Sequence, residues 1–211
     1  DLTLAPGAVG GASFIQTGGN STLHGEVKAG QTLWVRGDGA GGHTTLTTAT
    51  GFRNAGALLL ESRDGGYSCN LTVAEGVLTN TASGVITVGV GAGGPRTISA
   101  NLQNLGTIAV NQGLSLDRSD GVYENLGAWT IAAGNTLSIS GKNQLFRQEA
   151  GTLDIEGGFT ANGIAFSYDG GTITGSPYLI NCDLTLGPSA VAAASVILTG
   201  GNSTLHRDGQ P

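Results

Sequence analysis

The chain has 211 residues, only 11% of them charged, with 38 glycines and a formal net charge of -6. Globular domains usually carry about 25% charged residues, and the nine cations here are scattered with no basic run, which excludes a groove that grips nucleic acid. An apolar content of 39% excludes the composition of a disordered chain, and no apolar run reaches the length of a membrane-spanning helix, so no membrane insertion is expected in this segment.

The first element is the phrase DLTLAPGAVGGASFIQTGGNSTLH at 1–24. It returns near the other end as DLTLGPSAVAAASVILTGGNSTLH at 183–206, with 18 of 24 positions identical at a constant offset of 182. The next stretch, QTLWVRGDGAGGHTTLTTAT at 31–50, opens on a strand pattern. Alternation turns Leu33 and Val35 inward and Trp34 outward, where an indole can stack on a sugar. Arg36-Gly37-Asp38 spells the tripeptide that animal integrins recognise, and the glycines after it predict an exposed loop that displays it. Trp34, Arg36 and Asp38 are therefore candidate binding residues. The run HTTLTTAT at 43–50 offers outward threonines of the kind that order water on a flat face, although the later units do not continue a regular threonine row.

From residue 52 onward one short phrase recurs. An apolar residue, a spacer, Asn, a spacer and Gly lead into alternating apolar residues, as in FRNAGALLLES at 52–62, LQNLGTIAV at 102–110 and YENLGAWTI at 123–131. Looser copies are LTNTASGVITV at 78–88, FRQEAGTLDI at 146–155 and SYDGGTI at 167–173. The anchoring glycines, Gly56, Gly84, Gly106, Gly127, Gly151 and Gly171, recur about every 23 residues. Period-two apolar pairs follow them and predict a strand with one buried face. Leu58, Ile86, Ile108, Trp129 and Leu153 form the first inward file. A second strand is predicted at Leu71/Val73, Leu114/Leu116, Leu137/Ile139 and Leu184/Leu186, and a third row at Phe52, Leu78, Leu102, Tyr123 and Phe146.

Several strands in about 23 residues leave no room for a crossover helix, so like positions must stack on like. The expected fold is all-β: a right-handed parallel β-helix of about eight coils, with roughly three short strands per coil. The corner glycines are expected to supply positive φ or close backbone approach. Asn80, Asn104 and Asn125 are expected to bond to one another as an amide ladder. The 182-residue offset is a second, longer period. Residues 1–182 read as one module and 183–211 as the truncated start of the next, within a longer parent. The first residue is Asp rather than Met, in keeping with an excised or processed piece.

The phrases NLGTIAV, NLGAWTIAAGNTLSISG and AGTLDIEG resemble repeats of large secreted bacterial surface proteins, the autotransporter passengers and filamentous-haemagglutinin-like adhesins. The resemblance runs over about 50–190. It implies a right-handed β-helical stalk, secreted or displayed on the bacterial cell surface, acting in adhesion or extracellular matrix formation.

Reactive groups are few. Cys69 in SCNLTV and Cys182 in NCDLTL share a phrase and so a coil position. At about five coils apart they are separated by roughly 24 Å, beyond the reach of a disulfide. His24 and His206 are one position in two copies, and neither they nor His43 fall in a metal-binding spacing. Asp154 and Glu156 flank inward Ile155 and point outward together. Paired carboxylates on such a face serve glycoside cleavage, and stacked ones can hold Ca²⁺. No calcium-loop pattern accompanies them, so the expectation is no cofactor, no metal and no enzyme. The main reading is a non-enzymatic structural or adhesive stalk whose partners are neighbouring copies stacked end to end and matrix or host glycans. The alternative is a carbohydrate-binding or polysaccharide-processing β-helix using outward acidic and aromatic residues.

Overall fold

The computed structural model describes residues 1–7, 10–89, 91, 93–190 and 195–207. Those residues form strands and turns with no helix. The strands pair in parallel and stack as a β-solenoid of about nine turns. The sequence suggests about eight coils; the returning phrase supplies the last face-three strands, Asp183–Leu186 and Thr204–Arg207. The chain's last residues, 208–211, lie outside the described residues.

Each turn has three faces. Face one is an eight-stranded sheet that runs from Ala12–Thr17 to Thr172–Thr174. Faces two and three form one sixteen-stranded sheet, because the long strands Cys69–Asn80 and Arg96–Asn104 run across the corner between them. The register shifts at that corner between Ser99 and Asn101, and the inward residue there is Ala100, fully buried and small enough for a bend.

Period-two alternation explains the core. On face one Leu58, Ile86, Ile108, Trp129 and Leu153 stand in register in one file, each buried. On face three the file runs Phe52, Leu78, Leu102, Tyr123, Phe146, Phe166 and Leu184. Face two stacks Leu71, Ile98, Leu116, Ile139, Ala161 and Leu179. Leu184 and Leu186, read from sequence as a second-strand pair, belong to face three, where they pair with Phe166 and Tyr168.

Turn length varies along the axis. Leu58 pairs with Ile86, 28 positions on, whereas Tyr168 pairs with Leu186, 18 positions on. The longer turns carry the 36–50 and 60–68 loops. In the shorter turns aromatic rings fill the tube: Phe146 and Phe166 stack at 5.3 Å, and Phe159 meets both edge-on.

The amide ladder is continuous on the inner side of face three. The Nδ2 of Asn54, Asn80 and Asn104 donates to the Oδ1 of the next asparagine at 2.8–2.9 Å, and Asn125 donates to Gln148 Oε1 at 2.8 Å. Each of the four also donates to a face-one carbonyl in the next turn: Val85, Thr107, Ala128 or Thr152. Gln148 ends the ladder by donating to the Ala150 carbonyl at 2.6 Å. One amide per turn thus ties the corner between faces three and one.

The anchoring glycines meet the expectation in both of its forms. Gly151 and Gly171 have positive φ. At Gly106 the reason is contact: an added Cβ would lie 2.2 Å from the Thr81 carbonyl oxygen and 2.3 Å from that of Gly84. The chain closes so tightly at this corner that only a missing side chain fits. One expectation needs correction: the cysteines do not share a coil position. Cys69 opens a face-two strand, in register with Thr44 and Arg96, while Cys182 precedes the face-three strand Asp183–Leu186. The same local phrase feeds different faces: Cys69–Asn80 starts on face two and crosses into face three, whereas Asp183–Leu186 lies on face three throughout.

Candidate functional site

Outward residues follow the same stacking rule as the core, so composition that looks scattered in sequence becomes ordered in space. On face two Thr45, Asn70, Thr97, Ser115, Ser138 and Thr160 stand in register over six consecutive turns. A parallel row beside it holds Thr22, Thr47, Thr72 and Ser99. Asn70 Nδ2 donates to Thr45 Oγ1 at 3.2 Å, so neighbouring rungs orient one another. Each rung offers a hydroxyl or amide, and the rungs recur at the strand spacing of about 4.8 Å. Within HTTLTTAT, Thr45 and Thr47 begin these rows, while Thr44 and Thr48 point inward and are buried. The sequence showed no regular threonine row because Asn and Ser share the positions with Thr.

Trp34, Arg36 and Asp38 come together, as a clip rather than a displayed loop. Leu33 and Val35 are buried and Trp34 is half-buried on the outer side, next to Ile15 and Leu59 in register. The Arg36 guanidinium lies 5.0 Å from the Trp34 ring centroid and takes up one face of the indole. Arg36 Nε donates to Asp38 Oδ2 at 2.8 Å. Asp38 itself is 2% exposed, and its Oδ1 accepts from the Ala40 and Gly41 amides. The expectation of an exposed Arg-Gly-Asp loop is therefore corrected: the tripeptide closes on itself because its carboxylate caps the tight turn that the glycines form. The Gly41 amide, opposed by partial desolvation and helped by Thr17 and Arg36, holds the Asp38 carboxyl below its ordinary range.

The neighbouring loops brace this turn. Asp64 Oδ1 accepts from the Gly39 amide. The Ser68 amide donates to His43 Nδ1 at 3.0 Å, and the His43 ring meets Tyr67 edge-on at 5.6 Å. His43 thus has a structural position.

Asp154 and Glu156 flank buried Ile155 on face one. Asp154 accepts from Thr174 Oγ1 one turn on, while Glu156 lies just past the strand end and is exposed. Among the described residues no group of three or more His, Cys, Asp or Glu converges in a way that could hold a metal ion.

A denser charged cluster sits on the outer side of face three, where the sequence offered only separate acidic residues. Glu124 and Arg147 are in register, with Arg147 Nη1 3.7 Å from Glu124 and 3.9 Å from Glu149. Gln103 donates to Glu124 at 3.1 Å. Burial, followed by the Glu124 charge, pushes the Glu149 carboxyl up; Arg147 opposes this and Asp169 adds to it. Gln103, Glu124 and Arg147 lie 21 and 23 positions apart along the chain, so only the coil length brings them together.

Both thiols are buried and unbonded to each other. Burial pushes Cys69 up to about 12, which leaves it a packed side chain rather than a nucleophile. Cys182 Sγ lies 3.2 Å from the Ile180 carbonyl and 3.5 Å from that of Ala161. His24 and His206 are exposed, His206 on the outer side of face three.

This chain matches no protein-family model, no curated protein and no solved structure.

Proposed function

We propose that this chain is a non-enzymatic stalk module of a large bacterial repeat protein, secreted or held at the cell surface, that acts in adhesion or extracellular matrix formation. The observation that carries this reading is the order of face two. Uncharged hydroxyls and amides recur turn after turn on a rigid axis. Such a surface suits a polymer that is itself rich in regularly spaced hydroxyls, a polysaccharide above all, through many weak hydrogen bonds rather than one deep pocket. The core files and amide ladder serve length and stiffness, the needs of a stalk. The returning phrase supports a tandem arrangement of 182-residue modules along one continuous solenoid.

A second reading, polysaccharide processing, is favoured by one feature: the raised Glu149 carboxyl beside Glu124. The two readings separate in one experiment. The full chain is tested on immobilised glycans and purified polysaccharides, with binding and bond cleavage both measured. The stalk reading expects saturable binding without cleavage, weakened roughly tenfold when Thr97→Glu and Ser138→Glu place charges in the face-two row. Glu149→Gln should leave that binding unchanged. Cleavage that Glu149→Gln abolishes would replace the stalk reading with the enzymatic one.

A further inference from the structure

The corner between faces two and three also repeats one position from turn to turn, with a single interruption. In successive turns the face-three strands open on Val122, Leu145, Ala165 and Asp183, which stand in register and point outward. Two residues before each of these lie Asp120, Asn143, Gly163 and Asn181. All four have positive φ, between 51° and 68°. Asp and Asn are among the few residues with a side chain that accept this conformation, so the file forms a polar ridge along the corner. Asn143 Nδ2 donates to Asp120 Oδ1 at 2.9 Å and ties two rungs of that ridge. Gly163 breaks it. A Cβ added there would meet nothing within 4 Å, so no close approach demands the glycine. The outward residue that follows in the same turn, Ala165, is also small.

The result is a notch one turn wide. Gly163 and Ala165 form its floor, Asn143 and Leu145 one wall, and Asn181 and Asp183 the other; it encloses about 300 Å³. The walls are two turns apart, about 10 Å between backbones. Both belong to turns that have a neighbour on either side. The lining is chemically mixed. Leu145 and Ala165 offer an apolar strip. Asn143, its Nδ2 held by Asp120, has a carbonyl oxygen to offer. One oxygen of Asp183 accepts from Thr204 Oγ1 and the other remains to accept elsewhere. Asn181 brings an amide that can both donate and accept. None of the lining residues is a cation.

We propose that this notch is a binding site for a single neutral sugar residue. A sugar ring has the same two-sided character as the lining, with C–H groups on its faces and hydroxyls round its rim. The apolar strip takes the C–H face. Asn143 and Asp183 accept from hydroxyls, and Asn181 donates to one. The Asp183 charge, with no cation beside it in the notch, disfavours sugar acids and sulfated sugars. The volume lies at the lower limit of small-ligand pockets and suits one ring rather than an oligosaccharide. The notch therefore reads a chain end or a branch, whereas the hydroxyl row on face two runs along a polymer. The two are close. Asn162, the last face-two residue before Gly163, is exposed and in register with Ser140, so a glycan lying on face two reaches the notch across one corner.

The notch rests on the glycan-binding part of the stalk reading for its purpose, but its test uses free sugars rather than polymers. The full chain is titrated with D-glucose, D-galactose, D-mannose and N-acetyl-D-glucosamine, and with D-glucuronate as the charged control, by saturation-transfer and amide-shift NMR. Two variants fill the notch. Gly163→Asn supplies the residue that already holds this φ at Asn143 and Asn181. Ala165→Leu repeats its neighbour Leu145. Both should keep the fold, which thermal unfolding checks, and if one does not, the other decides. At least one neutral sugar should bind, roughly tenfold more weakly in each variant, and glucuronate should not. Thr97→Glu on face two should leave that affinity unchanged. The proposal falls if no neutral sugar of the set binds, if binding survives in the filled variants, or if glucuronate binds as tightly. Polymer binding that depends on Thr97 and Ser138, with no response to free sugar, would remove the notch and leave face two standing.

Discussion

At the residue scale the asparagine ladder shows how one side chain per turn fixes a corner. Asn104 accepts from Asn80, donates to Asn125 and donates again to the Ala128 carbonyl, all while fully buried. Asn104→Ala strands the Asn80 donor and leaves two acceptors unfilled. With about 1–3 kcal/mol for each buried polar group left unpaired, the loss should be about 3 kcal/mol, measured as a shift in the urea midpoint. A change as small as that of a surface substitution would show that water fills the gap. The ladder was legible because Asn recurs two positions before Gly in three units. Asn54 fits the same pattern, but the extension to Gln148 was not legible, since its unit, FRQEAG, departs from it. Gln148 belongs because its longer amide reaches the same corner.

At the scale of single elements, the strand Gln31–Gly37 and the turn after it depend on Asp38. A carboxyl held below its ordinary range contributes stability above the unfolded-state value, near 3.9, and loses it as pH falls through the folded value. Wild type should therefore lose stability on acidification below about pH 4 more steeply than Asp38→Asn, in thermal unfolding followed from about pH 6 to pH 2. Parallel pH profiles would mean that the turn is held by its backbone alone. The sequence placed Trp34 outside and Leu33 and Val35 inside through alternation, a property of any strand. It misplaced Asp38, because a glycine-rich run reads the same whether the loop is displayed or folded back on its own carboxylate. Only the Arg36 contact and the Gly41 amide decide between those two outcomes.

The whole molecule behaves as a one-dimensional stack. Each turn touches only its neighbours, so stability should be highest in the middle and fall towards the ends. Amide hydrogen exchange should be slowest in Thr107–Val110 and Ala128–Ile131 and fastest in Leu2–Leu4 and Thr204–Arg207. Uniform protection along the axis would contradict this and point to all-or-none unfolding. The outer surface obeys the same geometry. Face two and the Glu124–Arg147–Glu149 cluster are assembled from residues about a turn apart, and neither belongs to any local motif.

The sequence alone determined the solenoid, its three-strand turn and the inward files. All three follow from periodicity, and stacked identical units turn a period in the chain directly into a position in space. Tertiary structure decided what no period encodes: that some corner glycines serve contact rather than positive φ, that Cys69 and Cys182 lie on different faces, that Asp38 is buried, and that Thr, Asn and Ser merge into one row. Turn length varies along the axis from 28 residues to 18, so which outer residues meet depends on the loops between strands, and loop conformation is set by contacts made only after folding.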